Sequence, residues 1–152
     1  MKRHESLIPI SRQHHGGLLT ARLLQHGAPA YKGMPTTPAA KRDYVLAFLQ
    51  EHLLPHFKLE EETVFILASD FSEELQQQAA ALQAEHRKLE QLILALPAVD
   101  AANLPDRLDK VGKLLEQHIR QEERVFFEIV QQKLPGEKLR LLQQQVLRHL
   151  GE

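Results

Sequence analysis

Two short segments of the chain each pair a histidine with a glutamate four residues later. One segment, HFKLEEE, holds His56 and Glu60, and the other, HIRQEE, holds His118 and Glu122. On an α-helix, residues i and i+4 project from the same face one turn apart, so each segment would present an imidazole beside a carboxylate. Imidazole and carboxylate are the donor groups of non-haem metal sites, so the two pairs indicate metal binding.

The composition narrows the chemistry that the chain can perform. Its 152 residues include nine histidines and no cysteine, and the formal net charge is −1. The lack of cysteine excludes disulfides, thiolate metal sites and iron–sulfur clusters. The balanced charge argues against nucleic-acid binding, and no apolar run is long enough to cross a membrane. No targeting segment is recognisable, so the expected location is the cytoplasm.

Breaks rich in proline and glycine divide the chain into long segments of good helix formers. We predict helices over about residues 11–26, 38–68, 72–96, 104–129 and 137–150, with Asp70 or Ser72 as the cap of the third. Long helices joined by short loops are typical of bundles. The predicted fold is therefore all-α, an antiparallel up-down four-helix bundle with a short C-terminal fifth helix. We expect residues 1–152 to form a single metal-binding domain.

Both histidine–glutamate pairs lie on the apolar faces of their predicted helices. His56 and Glu60 continue a stripe that contains Leu49, Leu53, Val64 and Leu67. His118 and Glu122 are in line with Val111, Leu114, Leu115, Val125 and Ile129. A buried ionised carboxylate costs several kcal/mol unless it is paired or bound to a metal. Two inward carboxylates that face each other therefore require a cation between them.

The first and third helices add further inward histidines. His86 is in register with Leu82 and Leu89. His14 shares a face with Leu18, Ala21 and Leu24, whereas the adjacent His15 lies nearer to Leu18, Leu19 and Arg22. The predicted metal ligands are His14, His15, His56, Glu60, His86, His118 and Glu122. A set of nitrogen and oxygen donors favours iron, with manganese and zinc as alternatives. Because carboxylates bridge metals readily, two metals are favoured over one.

The order of these residues resembles the hemerythrin-like HHE cation-binding domain. The strings PHFKLEEE, EHRKL and HIRQEERVFF are similar to the signatures of that family, and the resemblance covers about residues 8–133. It implies a four-helix bundle around two non-haem irons that Glu60 and Glu122 bridge. His56, His86, His118 and one histidine of the first helix would complete the site. The H-x-x-L pattern of the family favours His15 there, and the helical face favours His14.

One departure from the resemblance concerns the third helix. Oxygen-carrying hemerythrins have two histidines four residues apart on that helix, whereas Leu82 and Glu90 stand four residues from His86 here. Reversible O2 carriage is therefore in doubt, unless Glu90 or His52 replaces the missing ligand. We expect both to be ordinary polar residues. We also expect Glu61, Glu62 and Glu123 to face solvent, and His4, His26 and His149 to have no role in the site.

These residues favour a (di)iron protein that senses or handles O2, NO, peroxide or iron. One alternative is a metal-dependent peroxidase or ferroxidase, and another is a metal-free helical interaction protein. No glutamate has a histidine three residues later, which speaks against the ferritin-like pattern. The sequence does not decide whether the protein is an enzyme, and it leaves the physiological ligand and oligomeric state open. The expected partner is a diatomic molecule or peroxide, with no nucleic acid and no membrane.

Overall fold

A computed structural model describes residues 2–151 of the chain, and within this range it contains helices and turns but no strand. In chain order the elements are α1 (Ile8–Leu24), α2 (Pro38–Phe48), a π-helical turn (Leu49–Leu53), α3 (Leu54–Glu62), α4 (Val64–Phe71), α5 (Glu73–Leu94), a 3-10 turn (Leu96–Ala98), α6 (Leu104–Gln121), a second π-helical turn (Glu122–Phe126), α7 (Phe127–Lys133) and α8 (Gly136–His149). The predicted all-helical class is confirmed. None of the described helices combines the length and apolar character that a membrane span requires.

Two helix starts follow directly from their local sequence. At α2 the Thr37 hydroxyl accepts a hydrogen bond from the backbone N–H of Ala40, and Pro38 occupies the first turn. At α5 the Ser72 hydroxyl accepts from the backbone N–H of Leu75. Side chains of this kind satisfy backbone donors that have no partner within the helix. Of the two predicted caps for α5, Ser72 is therefore the residue that acts.

The predicted second helix, over residues 38–68, is interrupted twice. A π-helical turn over Leu49–Leu53 precedes Pro55, which has no backbone N–H and whose ring conflicts with regular α-helical geometry. The second interruption is at Thr63, where the hydroxyl donates to the carbonyl of Leu59 at 2.6 Å and the backbone leaves the helical region. A threonine that bonds back to its own helix bends it. The histidine–glutamate pair of this segment, His56 and Glu60, lies on α3 between the two interruptions.

The fourth predicted helix contains the other π-helical turn, and this corrects part of the predicted apolar face. The backbone N–H of Phe127 donates to the carbonyl of Glu122, five residues earlier. The wider turn rotates all later residues relative to a regular helix. Val125, predicted to face the core, is consequently exposed, whereas Phe126 and Phe127 are both fully buried.

The apolar interior consists of two clusters that are separated along the helices. One contains Ile10, Leu82 and Phe126, together with residues of α8 such as Leu142. The other contains Ala21, Leu89 and Ile119. His14 lies between Ile10 and Ala21 on α1, and His86 lies between Leu82 and Leu89 on α5. A polar layer therefore separates the two apolar clusters.

The contact between α1 and α6 depends on two glycines. A Cβ atom at Gly112 would lie 2.5 Å from the backbone oxygen of Ala21, whereas a Cβ at Gly17 would lie 2.8 Å from the end of the flexible Ile119 side chain. We expect Gly112→Ala to lower the free energy of unfolding by about 1–3 kcal/mol, because the backbones must separate. Gly17→Ala should cost less, since Ile119 can rotate and alanine gains about 0.5–1 kcal/mol in a helix. Urea denaturation of the two variants measures the difference, and equal stabilities would contradict the argument.

Candidate metal centre

Six of the seven predicted ligands come together in the polar layer. α1 contributes His14, α3 contributes His56 and Glu60, and α5 contributes His86. His118 comes from the last turn of α6, and Glu122 is the first residue of the following π-helical turn. Glu60, His86 and Glu122 have no solvent-exposed surface, and the other three histidines are also buried. The two carboxylates and four imidazoles therefore share one enclosed space.

The six side chains form two overlapping groups of four. The first comprises His14, His56, Glu60 and Glu122, and the second comprises Glu60, His86, His118 and Glu122. Within each group the candidate donor atoms all lie within 4.8 Å of one another. Both carboxylates belong to both groups, while each histidine belongs to one. This is the arrangement that two metals bridged by two carboxylates would require.

The distances within the groups resemble the edges of a coordination polyhedron. The Nε2 atoms of His56 and His86 lie 3.3 and 3.2 Å from Oε1 of Glu60. The Nε2 atom of His118 lies 3.1 Å from Oε1 of Glu122, and that of His14 lies 3.4 Å from the same oxygen. Donors that bind one ion at about 2.1 Å stand roughly 3 Å apart at right angles.

None of the nitrogen and oxygen atoms that could bind metal in this space has a hydrogen-bond partner. They are the Nε2 atoms of His14, His56, His86 and His118 and both carboxylate oxygens of Glu60 and of Glu122. Buried polar atoms in folded proteins are nearly always hydrogen-bonded, because an unsatisfied one costs about 1–3 kcal/mol. Eight unsatisfied atoms of donor type in one place fit a site built to hold metal.

The opposite ring nitrogen of each histidine is hydrogen-bonded. The Nδ1 atoms of His14, His56, His86 and His118 lie 3.2, 2.7, 2.7 and 2.6 Å from side-chain oxygens of Glu123, Gln13, Glu61 and Glu85, respectively. An Nδ1–H that donates outward leaves the Nε2 lone pair directed into the site. The outer partners therefore fix both the orientation and the tautomer that metal binding needs.

These outer partners were missed by sequence reasoning, and for two of them the expectation was wrong. Glu61 and Glu123 do not simply face solvent, because they accept hydrogen bonds from His86 and His14. Glu62, in contrast, is exposed. A usable signal was present in the sequence: Gln13 and Glu85 immediately precede an inward histidine, and Glu61 and Glu123 immediately follow an inward glutamate.

Proximity of opposite charges shifts the pKa values of the cluster. Burial by itself lowers the pKa of His118, but the carboxylates of Glu122 and Glu85 outweigh it and raise that pKa to about 10. The pKa of His14 is also raised well above its ordinary value, against the effect of burial, by Glu122, Glu123 and Glu60. The pKa of Glu60 is lowered well below its ordinary value: burial opposes this, but the neighbouring histidines prevail. Without metal, the cluster therefore retains protons at neutral pH.

The structure does not bring the remaining candidates into either group. His15 is exposed. His52 is also exposed, beside Phe48, with the two ring centroids 5.1 Å apart. Glu90 is partly buried but belongs to neither group. The phenyl ring of Phe57, on α3, stacks on His86 at a centroid distance of 3.8 Å.

The three histidines for which no site role was expected pair with other residues. His4 bonds to Ser6, His26 to Asp106 and His149 to Glu62.

Separate replacement of the two adjacent histidines of α1 tests which of them binds metal: His14, which the helical face favours, or His15, which the family pattern favours. We expect His14→Ala to weaken metal binding by more than the about 10–100-fold that loss of an outer hydrogen-bond partner costs. His15→Ala should leave binding unchanged, because its side chain is exposed. Metal content after dialysis against a graded chelator series measures both variants. A greater loss with His15→Ala would show that α1 is rotated in the loaded protein.

A cavity of about 610 Å³ extends from the polar layer toward the surface. His14, His56 and His118 contribute to its inner wall, while Gly16, Phe48, Leu53 and Ile119 are among its apolar lining residues. Glu51, His52 and His149 also line it. The absence of a side chain at Gly16 leaves space next to Phe48. The cavity provides small molecules with a route to the four-residue group that contains His14 and His56.

The fold and the site together define a helical-bundle protein with a buried histidine–carboxylate cluster of metal-binding type. The chain matches the family model for the hemerythrin HHE cation binding domain over residues 7–130. It therefore belongs to that family, as the order of its histidines and glutamates predicted. Comparisons with curated proteins and with solved structures find no match. Helix α8 (Gly136–His149) follows the matched segment.

Proposed function

We propose that this protein binds two iron ions in the polar layer and uses them to handle O2, NO or peroxide. Glu60 and Glu122 would bridge the two ions. His14 and His56 would complete one position, and His86 and His118 the other. The observation that carries the proposal is the convergence of eight buried nitrogen and oxygen atoms without hydrogen-bond partners.

The same observation argues against a metal-free interaction protein. In such a protein the histidines and glutamates would satisfy one another with well-formed hydrogen bonds. Here each histidine forms its hydrogen bond outward, through Nδ1, while its inward Nε2 atom has no such partner. The polar layer is therefore organised around something other than its own side chains.

Iron fits the donor set best among the metals considered. The site offers imidazole and carboxylate and no sulfur, and helical bundles hold pairs of iron or manganese ions with such carboxylates. When bound, iron would supply the coordination and electron transfer that small oxygen- and nitrogen-containing molecules require. The protein residues orient the donors, and the stacked rings of Phe57 and Phe65 cover His86. The cavity beside His14 and His56 gives a small molecule access.

The residues of the proposed centre come from four helical segments of the chain. We propose that these segments form an antiparallel bundle within a single domain. Only Ser72 separates α4 from α5, and these two helices pack against each other. Consecutive helices joined so closely can pack side by side only if the chain reverses direction. Helix α1 packs along α6, and α5 contacts both α3 and α6, which supports a ring of four neighbours. The buried residues of α8 contribute to one of the apolar clusters.

The test is metal analysis of protein purified from iron-replete cells, combined with absorption spectra after Fe(II) is added in air. Two irons per chain and a near-ultraviolet charge-transfer band are expected. Stopped-flow mixing of the reduced, loaded protein with O2, NO or peroxide then identifies the molecule that reacts. A metal content near zero, with no absorption band after loading, would refute the proposal.

A further inference from the structure

We infer that the two metal positions are unequal: the position held by His14 and His56 exchanges its metal readily, the position held by His86 and His118 retains its metal, and Gln13 is the residue that sets the difference. This inference rests on the proposed function. It concerns residues that lie outside the predicted ligand set. It follows from the outer support of each histidine, by which we mean the side chain that accepts the hydrogen bond from its Nδ1 atom.

The position held by His14 and His56 has weak outer support. The Nδ1 atom of His56 bonds to the side-chain amide oxygen of Gln13 at 2.7 Å, and an amide carries no net charge. The Nδ1 atom of His14 meets the carboxylate of Glu123 at 3.2 Å. The same carboxylate oxygen accepts a shorter hydrogen bond, 2.8 Å, from the hydroxyl of Ser11. This pair of histidines is therefore backed by one neutral amide and by one carboxylate whose accepting oxygen is shared with Ser11.

The position held by His86 and His118 has two carboxylates directly behind it. Glu61 accepts from His86 at 2.7 Å and Glu85 accepts from His118 at 2.6 Å. Glu61 also contacts Arg87, at 3.0 Å through Oε1 and at 3.3 Å through Oε2, the oxygen that accepts from His86. The Arg87 side chain is mostly exposed, so solvent screens this ion pair, and the bond to His86 is the shorter one. Short hydrogen bonds to charged acceptors are roughly twice as strong as neutral ones. A carboxylate behind an imidazole also increases the basicity of the opposite nitrogen, so both Nε2 atoms here are stronger metal donors.

Access to the two positions differs in the same direction. Both His14 and His56 line the 610 Å³ cavity, whereas only His118 of the other pair does so. His86 is completely buried, with the rings of Phe57 and Phe65 at 3.8 and 5.5 Å from its own. His118 also lines a smaller cavity of about 130 Å³. The larger cavity nevertheless reaches both histidines of the other pair, so that position is the more accessible to water and chelating molecules. Weak outer support and an open path act together to make its metal exchangeable.

The experiment compares the wild-type protein with Gln13→Glu and Glu85→Gln, using Co(II) alone as the probe. Gln13 is exposed and Glu85 has a half-exposed side chain, so neither change removes core packing. Co(II) affinities come from competition with a coloured chelator, and release rates come from mixing the loaded protein with excess chelator. Gln77→Glu, at an exposed position of α5 away from both groups, is the matched control for added charge.

The wild-type protein should bind two Co(II) ions, one of which leaves at least about 10-fold faster, by analogy with the effect of outer partners on metal affinity. Gln13→Glu should slow the release of that ion and tighten its binding by about 10-fold or more. Glu85→Gln should weaken the slowly released ion instead, and Gln77→Glu should change neither. If the wild type retains only one ion, Gln13→Glu should restore the second.

Two results would overturn the inference. One is a Gln13→Glu variant that leaves the faster ion as it was, and the other is a variant that tightens only the slower ion. If neither the wild type nor any variant binds Co(II), the proposed metal function itself fails. That result differs from two sites with equal Co(II) release rates that Gln13→Glu does not change, which would overturn only the present inference.

Discussion

Replacement of Glu60 with glutamine is expected to remove metal from both positions rather than from one. The carboxylate of Glu60 belongs to both four-residue groups, and each of its oxygens lies near a different histidine of the first group. An amide can offer only one neutral oxygen, so the variant loses a charge and a donor at once. Binding should weaken at both positions by more than the about 10–100-fold that loss of an outer partner costs. Metal content after gel filtration measures this directly.

The matched control is Glu62→Gln on the same helix. Glu62 is exposed and contacts His149 rather than the polar layer. This variant should retain two metals, which would separate the effect of the bridging position from a general effect of charge on α3. Retention of one tightly bound metal by Glu60→Gln would contradict the bridging role and would indicate two independent positions.

The metal-free protein is expected to lose stability as the pH rises from about 6.5 to about 10. The pKa of His118 is raised from 6.5 in the unfolded chain to about 10 in the folded protein, despite burial, by Glu122 and Glu85. A raised pKa contributes stability that is complete below pH 6.5 and is lost as the pH approaches the folded value. The raised pKa of His14 acts in the same direction. Urea denaturation at a series of pH values should show a decline of several kcal/mol.

Metal loading should abolish this dependence of stability on pH. A histidine must be neutral to bind metal, so binding releases protons and tightens as the pH rises. The loaded protein should therefore show little or no loss of stability between pH 6.5 and 10, and addition of metal to an unbuffered solution near pH 7 should acidify it. A metal-free protein with constant stability over this range would mean that His118 is not protonated when folded.

Much of the fold and the centre of the site could be predicted from the chain. Apolar residues at helical spacing identified the main helices, and the four-residue separation within each histidine–glutamate pair placed both members on one face. The same argument selected His14, which is buried, whereas the H-x-x-L pattern favoured His15, which is exposed. The helical face identified the buried member of this pair because α1 is an uninterrupted α-helix over Ile8–Leu24.

Prediction failed where the helices depart from regular geometry. Val125 was assigned to the interior by extending the α-helical period past Glu122, but the π-helical turn inserts an extra residue into that period. Proline explains the π-helical turn before Pro55. The second π-helical turn, EERVF, contains no residue type from which it could be predicted. The outer hydrogen bonds were also missed, because each joins two different helices and depends on how those helices pack.

The polar layer has a consequence for how the molecule unfolds. The apolar clusters on its two sides share the same helices but are separated by six buried polar groups whose inward atoms form no hydrogen bonds with one another. Bound metal would join the halves into one cooperative unit, with a single unfolding transition in calorimetry. In its absence, amide hydrogens in the two halves should exchange with solvent at separate rates. Metal binding at the centre would then change amide hydrogen exchange at both ends of the bundle, far from any metal ligand.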